Sequence, residues 1–200
     1  MSSVFVAPHD DDQVLFGAFT TLRENPVVVI VFDGHLQGKR GLLITAEQRA
    51  AESEAAHQYL HDGPGSQSRI VRLGFRDDDP TVTATMVLSS FLNRFFNLGL
   101  TAGRIFVPAW EDKGHLQHNL VANAFGMNAK EASTDEGLTR YLTYTRVENG
   151  KSTSPREVPI LKPEWIGNKL RALACFQSQF LPATGCQEHF IGRSLREYYL

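Results

Sequence analysis

The chain is poor in cysteine, has no long apolar run and carries almost no net charge, and each shortage narrows what it can be. Its two cysteines, Cys175 and Cys186, form neither a framework nor a CxxC pair, so they read as reduced thiols. No apolar stretch approaches the roughly 20 residues that cross a bilayer, and the N-terminus has neither a basic segment nor a signal-type apolar core. Those absences predict a soluble, cytoplasmic protein without a membrane segment. A formal charge of −2 gives no broad electrostatic footprint. Nucleic acid is therefore not expected as a partner, and a small-molecule or glycan-conjugate substrate suits the balance better. The first strand exit has no GxGxxG, which disfavours a dinucleotide site. There is no internal repeat or low-complexity tract, and 200 residues suffice for a single domain, 1–200, with a core of its own.

What is present is a succession of strand-helix units. Val4 to Ala7 is a short apolar run, and a helix is predicted from Gln13 to Glu24 with Val14, Leu15, Ala18 and Leu22 on one face. Asn25-Pro26 breaks it. Val27 to Phe32 is apolar without alternation, the pattern of a strand covered on both faces. Thr45 stands three residues before Gln48, a capping box that opens a helix running to Leu60. Arg69 to Phe75 reads as a third strand, Thr81 to Leu98 as a helix with a broad buried face, and Arg104 to Trp110 as a fourth strand. Leu138 to Val147 reads as a late strand, residues 148–160 as a turn-rich excursion, and Lys162 to Phe180 as a final helix. This order predicts an α/β fold, a Rossmann-like three-layer α/β/α sandwich with a mostly parallel sheet.

In open α/β sheets the ligand crevice lies outside the carboxyl ends of the strands. Here each exit is polar: His9-Asp10-Asp11-Asp12, Asp33-Gly34-His35, Arg76-Asp77-Asp78-Asp79, and the stretch from Lys113 to His115-Leu116-Gln117-His118. His9 and Asp12, three apart in a turn entering a helix, can converge on one ion. His115 and His118, also three apart, would share a helix face. His9, Asp12 and one of the two later histidines then supply three N/O ligands with an open fourth position, the pattern of catalytic zinc. Asp77, nearest its strand, has a better claim to the site than Asp78 or Asp79. Arg49 reads either as a surface partner of Glu52 or as a contact to substrate. Lys113, close to His115, either meets a phosphate or carboxylate on the substrate or faces solvent.

These residues resemble a known family, the PIG-L/LmbE-like zinc-dependent N-acetylglucosaminyl deacetylases. Pro8-His9-Asp10-Asp11-Asp12-Gln13, with Gly17 after it, resembles the family's HPDDE signature, and His115-Leu116-Gln117-His118 its HPDH-type signature. Arg49-Ala50-Ala51-Glu52 is similar to its RxxE helix, Leu73-Gly74-Phe75-Arg76-Asp77 to its LG-aromatic-x-D strand exit, and Lys169, Ala172, Leu173, Ser178 and Gln179 to its last helix. The resemblance implies one zinc ion per chain, with other divalent metals admitted, on His9, Asp12 and His118. It implies Asp11 as general base, His115 as the group that steadies the oxyanion or protonates the leaving amine, and Arg49 and Asp77 on sugar hydroxyls. The expected reaction is amide hydrolysis that frees acetate and an amine from an N-acetylated amino sugar conjugate; a homo-oligomer is compatible with the sequence.

Three positions depart from the family pattern. Asp10 replaces a proline and should add negative charge beside the metal. Gln13 replaces a glutamate, removing a carboxylate behind the ligands. Gln117 replaces an aspartate, which should leave His115 less readily protonated. Two alternatives stand beside the deacetylase: a sugar-binding homologue that has lost turnover, and a magnesium-dependent phosphohydrolase using the DxD of Asp10 and Asp12.

Overall fold

The computed structural model describes residues 2–34, 36–37, 43–60, 69–100, 102–111, 114–126, 137–141, 156–180 and 196–199. Its elements run β1 (Ser2–Ala7), α1 (Asp12–Leu15), α2 (Ala18–Glu24), β2 (Val27–Phe32), β3 (Leu36–Gln37), β4 (Leu43–Ile44), α3 (Ala46–His57), β5 (Ile70–Phe75), α4 (Ala84–Asn97) and β6 (Ala102–Pro108). After them come α5 (Leu116–Ala124), β7 (Leu138–Tyr141), β8 (Arg156–Glu157), α6 (Glu164–Ala174), a 3-10 turn (Gln177–Phe180) and β9 (Tyr198–Tyr199). Seven strands form one sheet in the order β5-β2-β1-β6-β7-β9-β8, and β3 with β4 makes a separate antiparallel hairpin.

The sheet is mostly parallel, as expected. β1 lies inside it, pairing in parallel with β2 (Val4 beside Val27) and with β6 (Val4 beside Ile105). β5 and β7 extend it in parallel, while β9 runs antiparallel to both β7 and β8. Alternate residues of the central strands go to opposite faces. Val4, Val6, Val29, Val31 and Val107 pack with Val87, Phe91 and Phe95 of α4 and Val121 and Ala122 of α5. Phe5, Val28, Ile30 and Phe106 occupy the other face beside Phe16. There α1, α2, α3 and α6 close over one another through Val14, Leu15, Ala18, Ala56, Leu173 and Phe176. These are the three layers, and every residue of β2 is buried, as its unbroken apolar run requires. Each such side chain contributes about 1.5–3 kcal/mol by leaving water.

Four expected helices are shorter or divided: α3 ends at His57 rather than Leu60, and the other three have identifiable causes. The helix expected from Gln13 to Glu24 breaks between α1 and α2, because Gly17 lies against the Phe5 ring and a Cβ there would strike it. α2 ends at Asn25, whose φ of 46° is left-handed and is followed by Pro26. α4 starts at Ala84 rather than Thr81: Asp79 Oδ1 accepts from the Thr81 main-chain N–H at 2.9 Å, and Thr83 is the residue whose hydroxyl receives the Met86 N–H. The last helix stops at Ala174, and Glu52 takes the Ser178 N–H at 2.7 Å and its hydroxyl at 2.5 Å. The cap on α3 is as expected, with Thr45 Oγ1 accepting from Gln48 N at 3.1 Å.

A long-range clamp joins the far ends of the chain. Lys169, fully buried in α6, donates to Glu197 Oε1 at 2.8 Å and to the Leu15 carbonyl at 2.9 Å. Glu197 in turn accepts from the Phe19 N–H at 2.9 Å and the Thr20 N–H at 3.4 Å, completing the N-terminus of α2. Burial lowers the Lys169 pKa and Glu197 opposes that shift. Cys175 is a free thiol at the end of α6, whereas Cys186, residues 142–147 of the late strand and most of the 148–160 excursion lie outside the described residues. Among the described residues no helix is long and apolar enough to cross a membrane.

Candidate functional site

The carboxyl ends of β1, β2, β5 and β6 meet along one edge of the sheet. The ladder continues past the strands, with Phe32 N donating to the Pro8 carbonyl at 2.9 Å and Asp33 N to the Phe75 carbonyl at 2.8 Å. The polar exits are thereby held side by side. A cavity of about 740 Å³ opens there, lined by His9, Asp11, Asp12, Arg49, Asp77, His115, Gln117 and His118 together with apolar Phe16, Phe32, Val82 and Leu120.

The tightest part is a triangle. Asp12 folds back so that its Oδ2 accepts from the His9 N–H at 2.7 Å. The same oxygen lies 3.2 Å from His9 Nδ1 and 3.3 Å from His118 Nε2, and the two nitrogens are 3.1 Å apart. A small ion bonded tetrahedrally at about 2.0 Å has ligands about 3.3 Å apart. The three atoms therefore fit one face of such a tetrahedron and leave the fourth corner toward the cavity. Two wider groupings that share His9, one with His115 and His118 and one with Asp11 and Asp12, also bring ligand atoms within 4.8 Å. Residues expected to hold a metal from sequence are thus brought together, and they could bind one.

The charges agree with this geometry. Burial opposes ionisation of Asp12, yet His118 and His9 hold its carboxyl well below the usual carboxylate range. Burial would also lower the His9 pKa, but Asp12 above all, then Asp77 and Asp11, raise it to about 9. A metal ion at this triangle would therefore compete with a proton for His9.

His115 reaches the site differently from expectation. It is not on the helix face with His118; it is the N-cap of α5, in extended conformation, with its ring 5.1 Å from that of His9 and 5.4 Å from that of His118. Its outer edge is exposed, but desolvation of the inner edge, with His9 and His118 nearby, lowers its pKa to about 4. That shift has its causes in burial and these two neighbours, and Gln117 is not among them.

Gln117 bonds elsewhere. Its Oε1 lies 2.7 Å from His9 Nε2, and its Nε2 donates to the Asp77 carbonyl at 2.8 Å. The other two departures also point away from expectation. Asp10 is fully buried, is paired with Arg72 of β5 and does not line the cavity, so its charge is met on the far side of the turn rather than at the triangle. That arrangement also denies the DxD reading a shared site for Asp10 and Asp12. Gln13 donates to Ser53 Oγ at 3.0 Å and joins α1 to α3, not the ligands.

Asp11 and Arg49 form the wall beside the triangle. Arg49, 3% exposed, sets NH2 3.2 Å from Asp11 Oδ1, so the surface-pair reading of this arginine is wrong. Its NH1 is 3.6 Å from Glu52 Oε2 and has no hydrogen-bond partner among the described residues. Asp77 Oδ1 accepts from the Gly34 N–H at 3.3 Å, and burial first, then Asp33, raises the Asp77 pKa to about 6. Gly34 was missed from sequence. Its φ of 69° is left-handed, and a Cβ there would lie 3.0 Å from the Arg49 side chain, so only glycine suits the position. The signal was there in Asp33-Gly34 directly after a strand. Phe16 and Phe32 were also missed as lining residues, being indistinguishable from core residues in a pattern. Lys113 and His35 lie outside the described residues.

No protein-family model matches the chain, and no curated protein matches it. Solved structures do. The chain is similar to the conserved protein TT1542 from Thermus thermophilus, at 22% identity and a TM-score of 0.59, over 100% of this chain and 94% of that one. It is also similar to GalB, the 4-carboxy-2-hydroxymuconate hydratase from Pseudomonas putida, at 13% identity and a TM-score of 0.61, over 94% of this chain and 82% of that one. At these identities the likeness establishes the fold: the chain is an α/β protein with a mostly parallel sheet, and its polar strand exits form one candidate metal centre.

Proposed function

We propose that the chain is a zinc-dependent amide hydrolase of the PIG-L/LmbE-like kind, removing the acetyl group from an N-acetylated amino sugar conjugate. The observation that carries this reading is the triangle of His9 Nδ1, Asp12 Oδ2 and His118 Nε2, with edges of 3.1–3.3 Å and an open side on the cavity. Zinc held by these three residues would polarise a carbonyl and lower the pKa of water at the open position.

The chain's own residues supply the rest. Asp11 is buried beside the triangle and kept in place by Arg49, where it can take the proton of an attacking water. His115, neutral and at the mouth, offers an N–H to the oxyanion that forms as the carbonyl is attacked. The proton that Asp11 takes from the water is the one available to the departing amine, and His115 could relay it by accepting at one ring nitrogen while giving up the hydrogen on the other. Arg49, held between Asp11 and Glu52, lines the cavity and suits a substrate oxygen, and the Asp77 carboxyl suits a sugar hydroxyl. Phe16, Phe32 and Val82 give the acetyl methyl and the flat face of a sugar a dry wall.

The hydratase activity of GalB suggests a second reading, water addition to an unsaturated carboxylate, which would use the same activated water. The lining gives it less support, since Asp11, Asp77 and Asp79 stand there with Arg49 as the one lining arginine among the described residues, a poor cradle for a polyanion.

One experiment separates these readings. Zinc content is measured by elemental analysis, and acetate release on a panel of N-acetylated sugars, with 4-carboxy-2-hydroxymuconate as a further substrate. About one zinc per chain is expected, lost together with acetate release in Asp12→Ala and His118→Ala. In Asp11→Asn the zinc stays and turnover falls by about 10²–10⁴-fold, which also distinguishes a catalyst from a sugar-binding homologue. Zinc uptake indifferent to Asp12 and His118 would sink the proposal, and turnover of the hydroxymuconate alone would replace it with the hydratase.

A further inference from the structure

Gln117 stands between the metal ligands and the loop that follows β5, and it is bonded to both. Its Nε2 donates to the Asp77 main-chain carbonyl at 2.8 Å, and its Oε1 lies 2.7 Å from His9 Nε2. A main-chain carbonyl can only accept, so the amide nitrogen must face Asp77 and the amide oxygen must face His9. His9 Nε2 therefore carries the hydrogen of this contact. In the neutral ring Nδ1 then keeps its lone pair, and Nδ1 is the nitrogen at the corner of the triangle, 3.2 Å from Asp12 and 3.1 Å from His118. The tautomer that a metal needs follows from one amide.

The residue type matters for a second reason. An ionised aspartate or glutamate at 117 has acceptors and no donor, so it could serve His9 but not the Asp77 carbonyl. Glutamine serves both. Through that carbonyl it holds the backbone of Asp77, whose side chain lines the cavity and accepts from Gly34.

We infer that Gln117 is a positioning residue with two ends, one selecting the His9 tautomer that binds zinc and the other seating the Asp77 loop against which substrate rests. Zinc binding and substrate binding are thereby coupled through this side chain. The inference rests on the zinc hydrolase reading above.

The test compares the full chain with Gln117→Met and Gln117→Glu after zinc has been stripped. Zinc affinity is read by competition with a chromophoric chelator, KM from acetate release, and stability from melting of the metal-free proteins. Methionine matches the length without polar atoms, whereas glutamate keeps an acceptor for His9 alone. The methionine variant should bind zinc about 10–100-fold more weakly, with the metal-free melting temperature nearly unchanged. The glutamate variant should recover zinc affinity while its KM stays raised. A methionine variant with unaltered zinc affinity, or a glutamate variant as weak as the methionine one, overturns the inference while leaving the zinc reading intact. Weaker zinc binding matched by an equal loss of metal-free stability overturns it too, in favour of plain packing. An unmutated chain that takes up no zinc removes the metal reading, and this inference falls with it.

Discussion

Individual side chains decide how the site responds to pH, and His9 has the largest part. Its pKa rises from 6.5 to about 9 in the folded, metal-free protein because the surrounding aspartates outweigh burial. A base whose folded value is raised contributes stability that is fully present below its unfolded value and is lost as pH rises through the folded one. The chelated protein should therefore melt at a lower temperature at pH 9 than at pH 6.5, a result differential scanning fluorimetry can check. Zinc affinity should move the opposite way, rising with pH toward about 9 as the competing proton leaves. At this level the sequence was legible only in part. His9 and Asp12 were readable because a turn brings residues three apart together. Four consecutive polar residues nevertheless point in different directions, and periodicity cannot tell that Asp11 faces the cavity while Asp10 turns back to Arg72. Nor could spacing show that Gln117 reaches His9 across 108 positions of chain.

Secondary-structure elements were more readable than their ends. The unbroken apolar run of β2, the threonine cap of α3 and the stop at Asn25-Pro26 each have a local cause, and local causes are what a sequence displays. The break between α1 and α2 has a distant one. It depends on Gly17 meeting Phe5, which is itself stacked on Tyr141 at 4.6 Å, and no window along the chain contains those three residues. Gly17→Ala should cost about 1–3 kcal/mol by forcing the ring and the helix pair apart, measured by denaturant titration. Adding Phe5→Leu should return part of that loss, because the smaller side chain vacates the space the new methyl needs. Gln13 sits one turn before Gly17 and fastens α1 to α3 through Ser53, so the displacement would be felt at Asp11 and Asp12 as well.

Taken whole, the molecule follows the order of its strand-helix units, which is why the layered architecture could be read before its coordinates. The contribution of residues 196–199 could not, since a two-residue strand and one buried glutamate leave no pattern. Yet Glu197 is where α6 and α2 are joined, through Lys169 and the Phe19 N–H. Removing one partner of a buried pair strands the other, so Glu197→Ala should cost about 3–5 kcal/mol. Lys169→Met with Glu197→Gln should cost less than the sum of the separate changes, and a double-mutant cycle of unfolding free energies would measure the difference.

The same clamp bears on how the protein is made. The contact between Phe19 and Glu197 spans 178 positions, so a ribosome delivers the first residues of the helical layer long before the acid that finishes α2. Until residue 197 emerges, the nascent chain holds a lysine and a helix start whose ammonium and amides must be satisfied by water instead. The polar joint between α2 and α6 is thus completed only after nearly all of these 200 residues have been synthesised, later than the apolar contacts of the same layer.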